Sequence, residues 1–288
     1  MPDGIIIIDK SADWTSMDVC AKLRGIFKEK RVGHAGTLDP MATGVLPVFV
    51  GQATKAVSFA EGGKKEYRAV MRLGIETDTQ DTSGTVRSEK PVTVSEMDVC
   101  AALPHFTGEI AQIPPMYSAI KINGQKLYDI ARRGGEVERK PRSITIYELE
   151  LVEKLNETDY ALRVVCSRGT YIRTLCHDIG ASLGCGAAMA ALERTAAAGF
   201  TIDEAVTLEE AQEKREALLR PIDSLFRGCA SYTIPTAEEE RRAHCGNPLK
   251  AALSDGWYRV YGSNGAFLSL SEARDGVLTS QKNFFSAE

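Results

Sequence analysis

A glycine-rich segment, residues 33–44, holds a histidine and an aspartate that could act on a bound ligand. It lacks helical or strand periodicity and lies between a predicted helix and a predicted buried strand, where glycine lets the backbone approach a ligand closely. Neither the P-loop pattern nor the dinucleotide-binding glycine pattern occurs in it. Ordinary interpretations exist for both residues: Asp39 and Pro40 could begin a helix, and His34 could pack within the loop.

Basic residues concentrate in one stretch, although the protein as a whole is mildly acidic with a net charge of -4. Residues 121–142 contain seven basic and three acidic residues. Tyr128 lies within this stretch and Tyr117 just before it, so the stretch could follow a nucleic-acid phosphate backbone. An ordinary solvated surface explains the same charges, and charge alone favours that interpretation.

Composition argues against a metal site, a disulfide framework and a membrane protein. The 288-residue chain has seven cysteines but no Cys-x-x-Cys pair, and the cysteines are expected to be mostly small buried apolar residues. Two adjacent His/Cys pairs, at 176–177 and 244–245, do not converge on one metal. No apolar run approaches the roughly 20 residues of a membrane span. No secretory signal begins the chain, so a cytoplasmic protein is predicted.

Periodicity and turn signals predict an α+β fold instead of a parallel doubly wound sheet. Buried strands are expected at 4–9 and 45–50, an alternating strand at 67–73 and a strand pair at 143–152 and 159–166. Helices are expected at about 16–30, 52–60, 95–104, 127–133, 170–183 and 207–219, with capping signals at Thr15 or Ser16, Ser95 and Thr207. Asn123-Gly124 predicts a hairpin turn. Short strands after Gly228 predict a second, smaller domain.

A series of motifs resembles the TruB family, the tRNA pseudouridine-55 synthases. The chain reads GHAGTLDPMATGVLP at 33–47 with GQATK at 51–55, KKEYRA at 64–69, TDTQDTSG at 77–84, QIPPMYSAIKING at 112–124 with LYDIAR at 127–132, and SRGTYIRTL at 167–175. The series follows the family's order over about residues 4–200, which excludes a chance match.

The resemblance implies a pseudouridine synthase fold, in which helices and loops flank a central, mostly antiparallel sheet. It implies the isomerisation of uridine to pseudouridine in the tRNA T-loop without cofactor or metal. Asp39 matches the family's nucleophilic aspartate, which attacks either uracil C6 or ribose C1′. Arg173 matches the arginine that pairs with this aspartate, and Tyr67 matches the tyrosine that stacks on the target base.

The other implied roles concern the RNA around the target uridine. His34 matches the residue that fills the space left by the flipped nucleotide, Leu192 a residue of the uracil pocket, and Lys10 a lysine that supports packing or charge. The basic stretch then belongs to a thumb-like RNA-binding insertion, residues 113–142. The RNA-binding residues expected there are Lys121, Lys126, Tyr128, Arg132, Arg133, Arg139, Lys140 and Arg142.

The resemblance also implies the domain organisation and the partner. Residues 1–228 form the catalytic domain, and residues 229–288 occupy the position of a β-rich PUA-like domain. The latter segment holds six basic and seven acidic residues, which gives little indication of RNA binding. A monomer that acts on the T-loop and stem of tRNA is expected, with no obligatory protein partner.

The chain departs from the family pattern in two places. Residues 11–13 replace the usual Pro-x-Gly after Lys10, and Glu193 occupies a position that is commonly basic. Neither departure changes the residues matched to catalytic roles.

Three other functions agree with parts of the sequence. They are a tRNA chaperone whose catalysis is dispensable, a guide-RNA-dependent synthase, and a glycosidase with Asp9 and Asp39 as its carboxylate pair. The long 113–142 segment favours an enzyme that reads tRNA itself, because a guide-dependent enzyme leaves recognition to base pairing.

Overall fold

A computed structural model describes residues 2–122 and 124–285, which are built around one large and one smaller β-sheet. The strands are β1 (Gly4–Lys10), β2 (Val32–His34), β3 (Thr43–Val50), β4 (Lys65–Leu73), β5 (Ile75–Thr77), β6 (Val86–Glu89), β7 (Gly108–Gln112), β8 (Lys121–Ile122), β9 (Gln125–Lys126), β10 (Arg142–Lys154), β11 (Asp159–Cys166), β12 (Ala187–Ala197), β13 (Phe200–Thr201), β14 (Ala230–Thr233), β15 (Leu249–Lys250), β16 (Gly256–Tyr261), β17 (Phe267–Arg274) and β18 (Val277–Asn283). The α-helices are α1 (Ser16–Phe27), α2 (Val57–Glu61), α3 (Glu96–Ala102), α4 (Leu127–Arg132), α5 (Ile172–Ser182), α6 (Leu208–Lys214) and α7 (Ala237–His244). None of the described helices is long and apolar enough to cross a membrane.

The large sheet runs in the order β1-β3-β12-β4-β11-β10-β7, with β2 paired to β3 and β13 paired to β12. Its pairs are antiparallel except β12 with β3, which confirms the mostly antiparallel sheet expected from the sequence. The alternating residues of β4 give it one buried face, and the isoleucines of β1 are buried on both faces. The apolar stripe of α1 packs into the same core as β4, β11 and α5.

Strand β12 is an inner strand of this sheet, but no pattern in the sequence predicts it. Six of its eleven residues are alanine, a residue with low strand propensity, and its hydrophobic alternation is weak. It forms because β4 and β3 supply backbone partners on its two sides, in antiparallel and parallel register respectively.

The remaining differences from the predicted elements are local. Helix α1 ends at Phe27, about one turn before the predicted end, because Lys28 adopts a left-handed conformation at φ 52°. The helical conformation continues past Pro104, because a 3₁₀ turn, Leu103–Phe106, directly follows α3 and includes this proline. The predicted hairpin is formed by β8 and β9, although Asn123 itself lies outside the described residues.

The smaller sheet, in the order β14-β16-β17-β18-β15, confirms the short strands expected near the C-terminus. Helix α7 lies between its strands and was not predicted, because its sequence is almost entirely polar. Phe226, Phe267 and Phe284 pack together beside the sheet, and the Phe59 ring meets Phe226 edge-on with centroids 5.6 Å apart. These rings join the smaller sheet to the segment that follows β3.

Candidate active site

The loop between β2 and β3 presents Asp39 from a turn and not from the start of a helix. The Asp39 carbonyl accepts a hydrogen bond from the Ala42 amide at 3.0 Å. Gly44, the second residue of β3, has a φ of +94°, and a Cβ there would lie 2.3 Å from the Arg194 carbonyl oxygen. The helix-cap interpretation of Asp39 is therefore wrong, since the chain turns sharply and enters β3.

Contacts on both sides of Asp39 fix this loop without using its carboxylate. The Ser16 hydroxyl, at the start of α1, accepts a hydrogen bond from the Leu38 amide at 2.9 Å. The Pro40 carbonyl accepts one from the Lys10 ammonium at 3.1 Å. The carboxylate is thereby positioned but left available for another partner.

Lys10 also holds together the segment that follows β1. It is 1% exposed, and its ammonium donates to the carbonyls of Ser11 at 2.8 Å and Trp14 at 2.7 Å. The Asp13 amide, in turn, donates to the Pro40 carbonyl at 2.9 Å. Burial lowers the pKa of Lys10, and the nearby carboxylates of Asp13 and Asp39 act in the opposite direction. The segment at 11–13 is thus tied directly to the Asp39 loop.

Arg173, on α5, joins the Asp39 loop to two other parts of the chain. Its Nε lies 3.0 Å from Asp39 Oδ2, which confirms the pairing expected for these residues. Its Nη1 donates to the Thr79 carbonyl at 3.0 Å and lies 3.4 Å from Asp81 Oδ2. Its Nη2 donates to the Tyr117 carbonyl at 2.9 Å, at the base of the 113–142 segment.

Asp81 is the residue of this network that sequence reasoning missed. The TDTQDTSG motif at 77–84 matches the family without indicating a role for Asp81, whose side chain is 7% exposed and pairs with Arg173. The backbone of Met189 on β12 fixes the loop, by donating to the Gln80 carbonyl at 3.0 Å and accepting from the Thr82 amide at 2.9 Å. The position of Asp81 in a motif matched to the family was the only signal available in the sequence. It could not reveal the pairing, because the partner, Arg173, lies on a helix that is distant in sequence.

The Asp39 carboxylate is the most exposed group of this network. Its side chain keeps 39% exposure, against 6% for Arg173 and 7% for Asp81. Burial raises the pKa of Asp39; the Arg173 charge opposes this rise, Asp81 adds to it and Lys10 opposes it. The arginine therefore offsets desolvation only in part, and the carboxyl group is a weaker acid than an ordinary aspartate.

Tyr67, on β4, lies close to the Asp39 carboxylate. Its direct partner in the antiparallel register with β12 is Arg194, and directly opposed residues point to the same face. The two residues are 7% and 0% exposed. Burial raises the pKa of the Tyr67 hydroxyl, the Arg194 charge lowers it, and the Asp39 charge raises it, which reflects the proximity of the two predicted catalytic groups.

Leu192 and His34 lie near Tyr67 and Arg194. Leu192 is 8% exposed and lies two residues before Arg194 on β12, so its side chain shares the face of Tyr67. His34 ends β2, and its Nδ1 is buried with no hydrogen-bond partner within residues 2–122 and 124–285. Burial and the Arg194 charge lower the pKa of His34, so its imidazole is neutral at physiological pH.

Over the described residues, no group of three or more His, Cys, Asp or Glu side chains is arranged to hold a metal ion. Four of the seven cysteines, Cys20, Cys166, Cys176 and Cys185, are buried as expected, while Cys100 and Cys245 are exposed.

Comparison with known families agrees with this geometry. The model of the TruB family pseudouridylate synthase N-terminal domain matches residues 24–172, and that of the tRNA pseudouridylate synthase B C-terminal domain matches residues 173–227. The chain belongs to the TruB family of pseudouridylate synthases. The TruB N-terminal model includes Asp39, Tyr67 and Asp81, and the C-terminal model begins at Arg173.

Individual TruB-family relatives match most of the chain. The tRNA pseudouridine synthase B of Alkaliphilus oremlandii (strain OhILAs) is 51% identical over 77% of this chain and 74% of its own length. That of Pseudomonas syringae pv. syringae (strain B728a) is 43% identical over 97% of this chain and 94% of its own length. Among solved structures, a chain of a Cbf5-Nop10-Gar1 complex superposes with a TM-score of 0.74 at 25% identity, covering 98% of this chain and 85% of that one.

The basic residues of the 113–142 segment are not equally available to RNA. Five of the eight predicted contact residues are exposed: Lys121, Arg132, Arg133, Lys140 and Arg142. Lys126 and Arg132 both lie against the Tyr128 ring, at 5.1 and 5.5 Å from its centroid. Arg139 instead turns inward, donating to the Pro114 carbonyl at 3.2 Å and pairing with Glu136 at 3.3 Å.

Arg194 is the second residue of the TruB-family site that sequence reasoning missed. Its Nε donates to the Val45 carbonyl at 2.7 Å and its Nη2 to the Gly36 carbonyl at 3.0 Å. The guanidinium thus ties β12 to both ends of the Asp39 loop. No sequence signal distinguished it from a surface arginine, because the strand that carries it was not predicted. The neighbouring departure from the family pattern, Glu193, lies opposite Arg68 in the register of β12 with β4.

Proposed function

We propose that this protein converts uridine to pseudouridine in tRNA, at position 55 of the T-loop. One observation carries the proposal: the Asp39 carboxylate is held 3.0 Å from Arg173, its side chain is still 39% exposed, and Tyr67 lies close enough for the two groups to interact electrostatically. Membership of the TruB family and relatives named tRNA pseudouridine synthase B support tRNA as the substrate.

The reaction is an isomerisation, so its atoms balance without an oxidant or a reductant. The bond between C1′ and N1 breaks, the uracil turns, and a bond forms between C1′ and C5. The proton on C5 leaves and N1 gains one. Asp39 acts as the nucleophile, at uracil C6 or ribose C1′, and must be ionised to do so. Because its pKa is raised, activity is lost on acidification at a higher pH than for an ordinary aspartate.

The target base must leave its stack before Asp39 can reach it, because a uridine in the folded T-loop is enclosed by its neighbours. We assign Tyr67 to stacking on the extruded uracil and Leu192 to the apolar wall of the pocket. Neutral His34 occupies the space vacated in the RNA, where an uncharged ring can stack on bases. Arg173 holds Asp39, and Lys10 holds the loop that carries it.

The 113–142 segment serves as the thumb that grips the tRNA. The cations around Tyr128, of which Arg132 is exposed, supply charge for phosphates, and the tyrosine supplies an aromatic face for stacking. The hydrogen bond from Arg173 to the Tyr117 carbonyl connects the base of the thumb to the catalytic network. We propose residues 1–228 as the catalytic domain, with the thumb as an insertion, and residues 229–288 as a PUA-like domain.

We also propose that the protein acts as a monomer in the cytoplasm. The thumb favours an enzyme that reads tRNA itself, without a guide RNA or an obligatory protein partner. A guide-dependent synthase obtains its specificity from base pairing, so a basic insertion beside its cleft would be redundant. If recognition does come from this chain, unmodified tRNA and purified protein suffice for the reaction.

Release of tritium from tRNA tests the proposal directly. A transcript with tritium at C5 of every uridine is incubated with the purified protein, and one tritium per tRNA is expected in the solvent. A matched transcript with cytidine at position 55 is expected to release none. Equal release from both transcripts would exclude position 55, and no release from either would exclude the activity.

Removal of thumb cations tests the mode of RNA binding. Replacing Lys126, Arg132 and Arg133 together by alanine is expected to weaken tRNA binding, and to reduce the log–log salt slope by roughly 0.7–0.9 for each phosphate that is no longer bound. Affinity is measured by filter binding at several salt concentrations. The control replaces three exposed lysines in or just after α1, namely Lys22, Lys28 and Lys30. Equal weakening by both triple variants would show an effect of net charge and not of direct binding by the thumb.

A further inference from the structure

Two cationic side chains converge on Gly36, three residues before Asp39. Gly36 has a φ of +80°, and a Cβ placed there would lie 3.2 Å from Arg194 Nη1, 3.1 Å from Lys65 Cε and 3.6 Å from Lys65 Nζ. Both nitrogens are therefore within 4 Å of one point beside the Gly36 backbone. A Cβ at that point would be in tight contact with both side chains, so only glycine lets them come this close to the backbone.

Neither of these nitrogens has a partner of its own among the described residues. Arg194 is 0% exposed; its Nε and Nη2 bind carbonyls, but its buried Nη1 has no hydrogen-bond partner in the described structure. Lys65 Nζ forms no hydrogen bond or ion pair with any described residue. A buried donor without an acceptor is unfavourable, and such donors are usually paired in native proteins.

The charges around this point are also unbalanced. Burial lowers the pKa of Lys65, and the positive charge of Arg194 lowers it further; Cys166 and Glu61 oppose these effects, while Arg168 adds to them. Lys65 and Arg194 thus face each other with no carboxylate of the described chain in ion-pair contact between them. A bound anion would offset their repulsion and provide an acceptor for the Lys65 ammonium.

The position of this point beside Gly36, relative to Tyr67, indicates which anion would bind there. Lys65 precedes Tyr67 by two residues on β4, so the two side chains share a face and lie about 7 Å apart along the strand. A nucleotide carries its phosphates on the side of the ribose away from its base. A uracil held against Tyr67 therefore directs its backbone toward a neighbouring point such as this one.

We infer that Lys65 binds a backbone phosphate of the RNA directly adjacent to the extruded uridine, and that the buried charge of Arg194 behind it strengthens the contact. The inference rests on the proposed function and extends it. The phosphate would anchor the strand on one side of the flipped nucleotide while the thumb grips the RNA elsewhere. Because Arg194 also ties Gly36 and Val45, the same contact links backbone binding to the loop that carries Asp39.

Neutralising single phosphates tests the inference. A T-arm hairpin is synthesised with an uncharged methylphosphonate either 5′ or 3′ of the target uridine, next to a 2′-O-methyl ribose that keeps the linkage stable. For the wild-type protein, one of these linkages is expected to weaken binding about tenfold relative to the same 2′-O-methyl RNA with a normal phosphate. For Lys65→Met, the normal hairpin is expected to bind about tenfold more weakly, and that methylphosphonate to make no further difference.

A neighbouring lysine provides the matched control. Lys64 is exposed, and its ammonium lies 4.2 Å above the Tyr147 ring, outside the cluster. Lys64→Met is expected to keep the full sensitivity to the methylphosphonate. If circular dichroism shows that Arg194→Met is folded, this variant is expected to lose sensitivity to the methylphosphonate, as Lys65→Met does. If Arg194→Met is unfolded, the result for Lys65→Met alone tests the phosphate contact.

The outcomes separate the inference from the function on which it rests. Tritium release from the unmodified hairpin by the wild-type protein supports the proposed function; its absence would overturn both. With release present, independent and multiplicative effects of Lys65→Met and of both linkages would overturn the phosphate contact alone. The same holds if free inorganic phosphate protects the cluster from chemical modification of Lys65 but the hairpin does not, since the anion would then be a free ion.

Discussion

Asp39→Asn is expected to abolish tritium release from tRNA while leaving tRNA affinity nearly unchanged. The amide keeps the size of the carboxyl group and an oxygen that can accept from Arg173, but it is not a nucleophile. Removing an enzyme's nucleophile reduces turnover by about 10⁴-fold or more. Single-turnover tritium release measures the chemical step, and filter binding measures the affinity separately.

A matched aspartate shows whether the effect is specific to Asp39. Asp9 lies near the end of β1, where its amide binds the Val206 carbonyl at 2.9 Å, and Asp9→Asn is expected to keep full activity. A glycosidase with the Asp9–Asp39 pair would lose activity in both variants. Retention of more than about a tenth of wild-type turnover by Asp39→Asn would contradict the nucleophile assignment.

The same variant separates the enzyme from a tRNA chaperone. A chaperone with dispensable catalysis would promote tRNA folding equally well with asparagine at this position. We expect any such activity to be secondary, because the network of Arg173, Asp81 and Lys10 positions a carboxylate that binding alone does not require.

Arg173→Met is expected to lower both turnover and stability. The substitution leaves Asp81, at 7% exposure, without its ion-pair partner, and breaking a buried pair in this way costs about 3–5 kcal/mol. Turnover is expected to fall by about 100-fold or more, because Asp39 loses the group that orients it. Arg173→Lys is expected to rescue little, since one ammonium cannot reach two carboxylates and two carbonyls.

Urea unfolding and single-turnover rates measure these two effects, with Arg163 as the control arginine. Arg163 pairs with Glu66, Glu148 and Glu150 on the other face of the sheet, with its side chain 34% exposed. Arg163→Met is expected to change the free energy of unfolding by about 1 kcal/mol or less and to keep turnover. If Arg173→Met behaved like Arg163→Met, the network would not be catalytic.

Local signals in the sequence were sufficient for many elements. The capping boxes at Thr15, Ser95 and Thr207 mark the starts of α1, α3 and α6, because each serine or threonine binds an amide only three residues away. The alternation from Tyr67 to Leu73 predicted the buried face of β4. Both kinds of signal depend on residues close in sequence, and periodicity reports them directly.

Strand β12 and the buried side chains of Asp81 and Arg194 depend on contacts between distant parts of the chain. The alanine-rich segment becomes an inner strand only when β3 and β4 flank it, and that pairing brings Arg194 opposite Tyr67. Asp81 becomes buried only where α5 brings Arg173 to it, across 92 positions of sequence. No local pattern encodes such a neighbour.

The sequence by itself determined the family, the order of most elements and the residues matched to catalysis, since these depend on residue identity and short-range spacing. The tertiary structure decided how the Asp39 carboxyl is held and how its acidity is set, because burial and the charges of Arg173, Asp81 and Lys10 act through space. It also decided that Arg194 and Lys65 meet at Gly36 with hydrogen-bond donors that have no acceptor among the described residues. This arrangement exists only after β4, β12 and the Asp39 loop have come together.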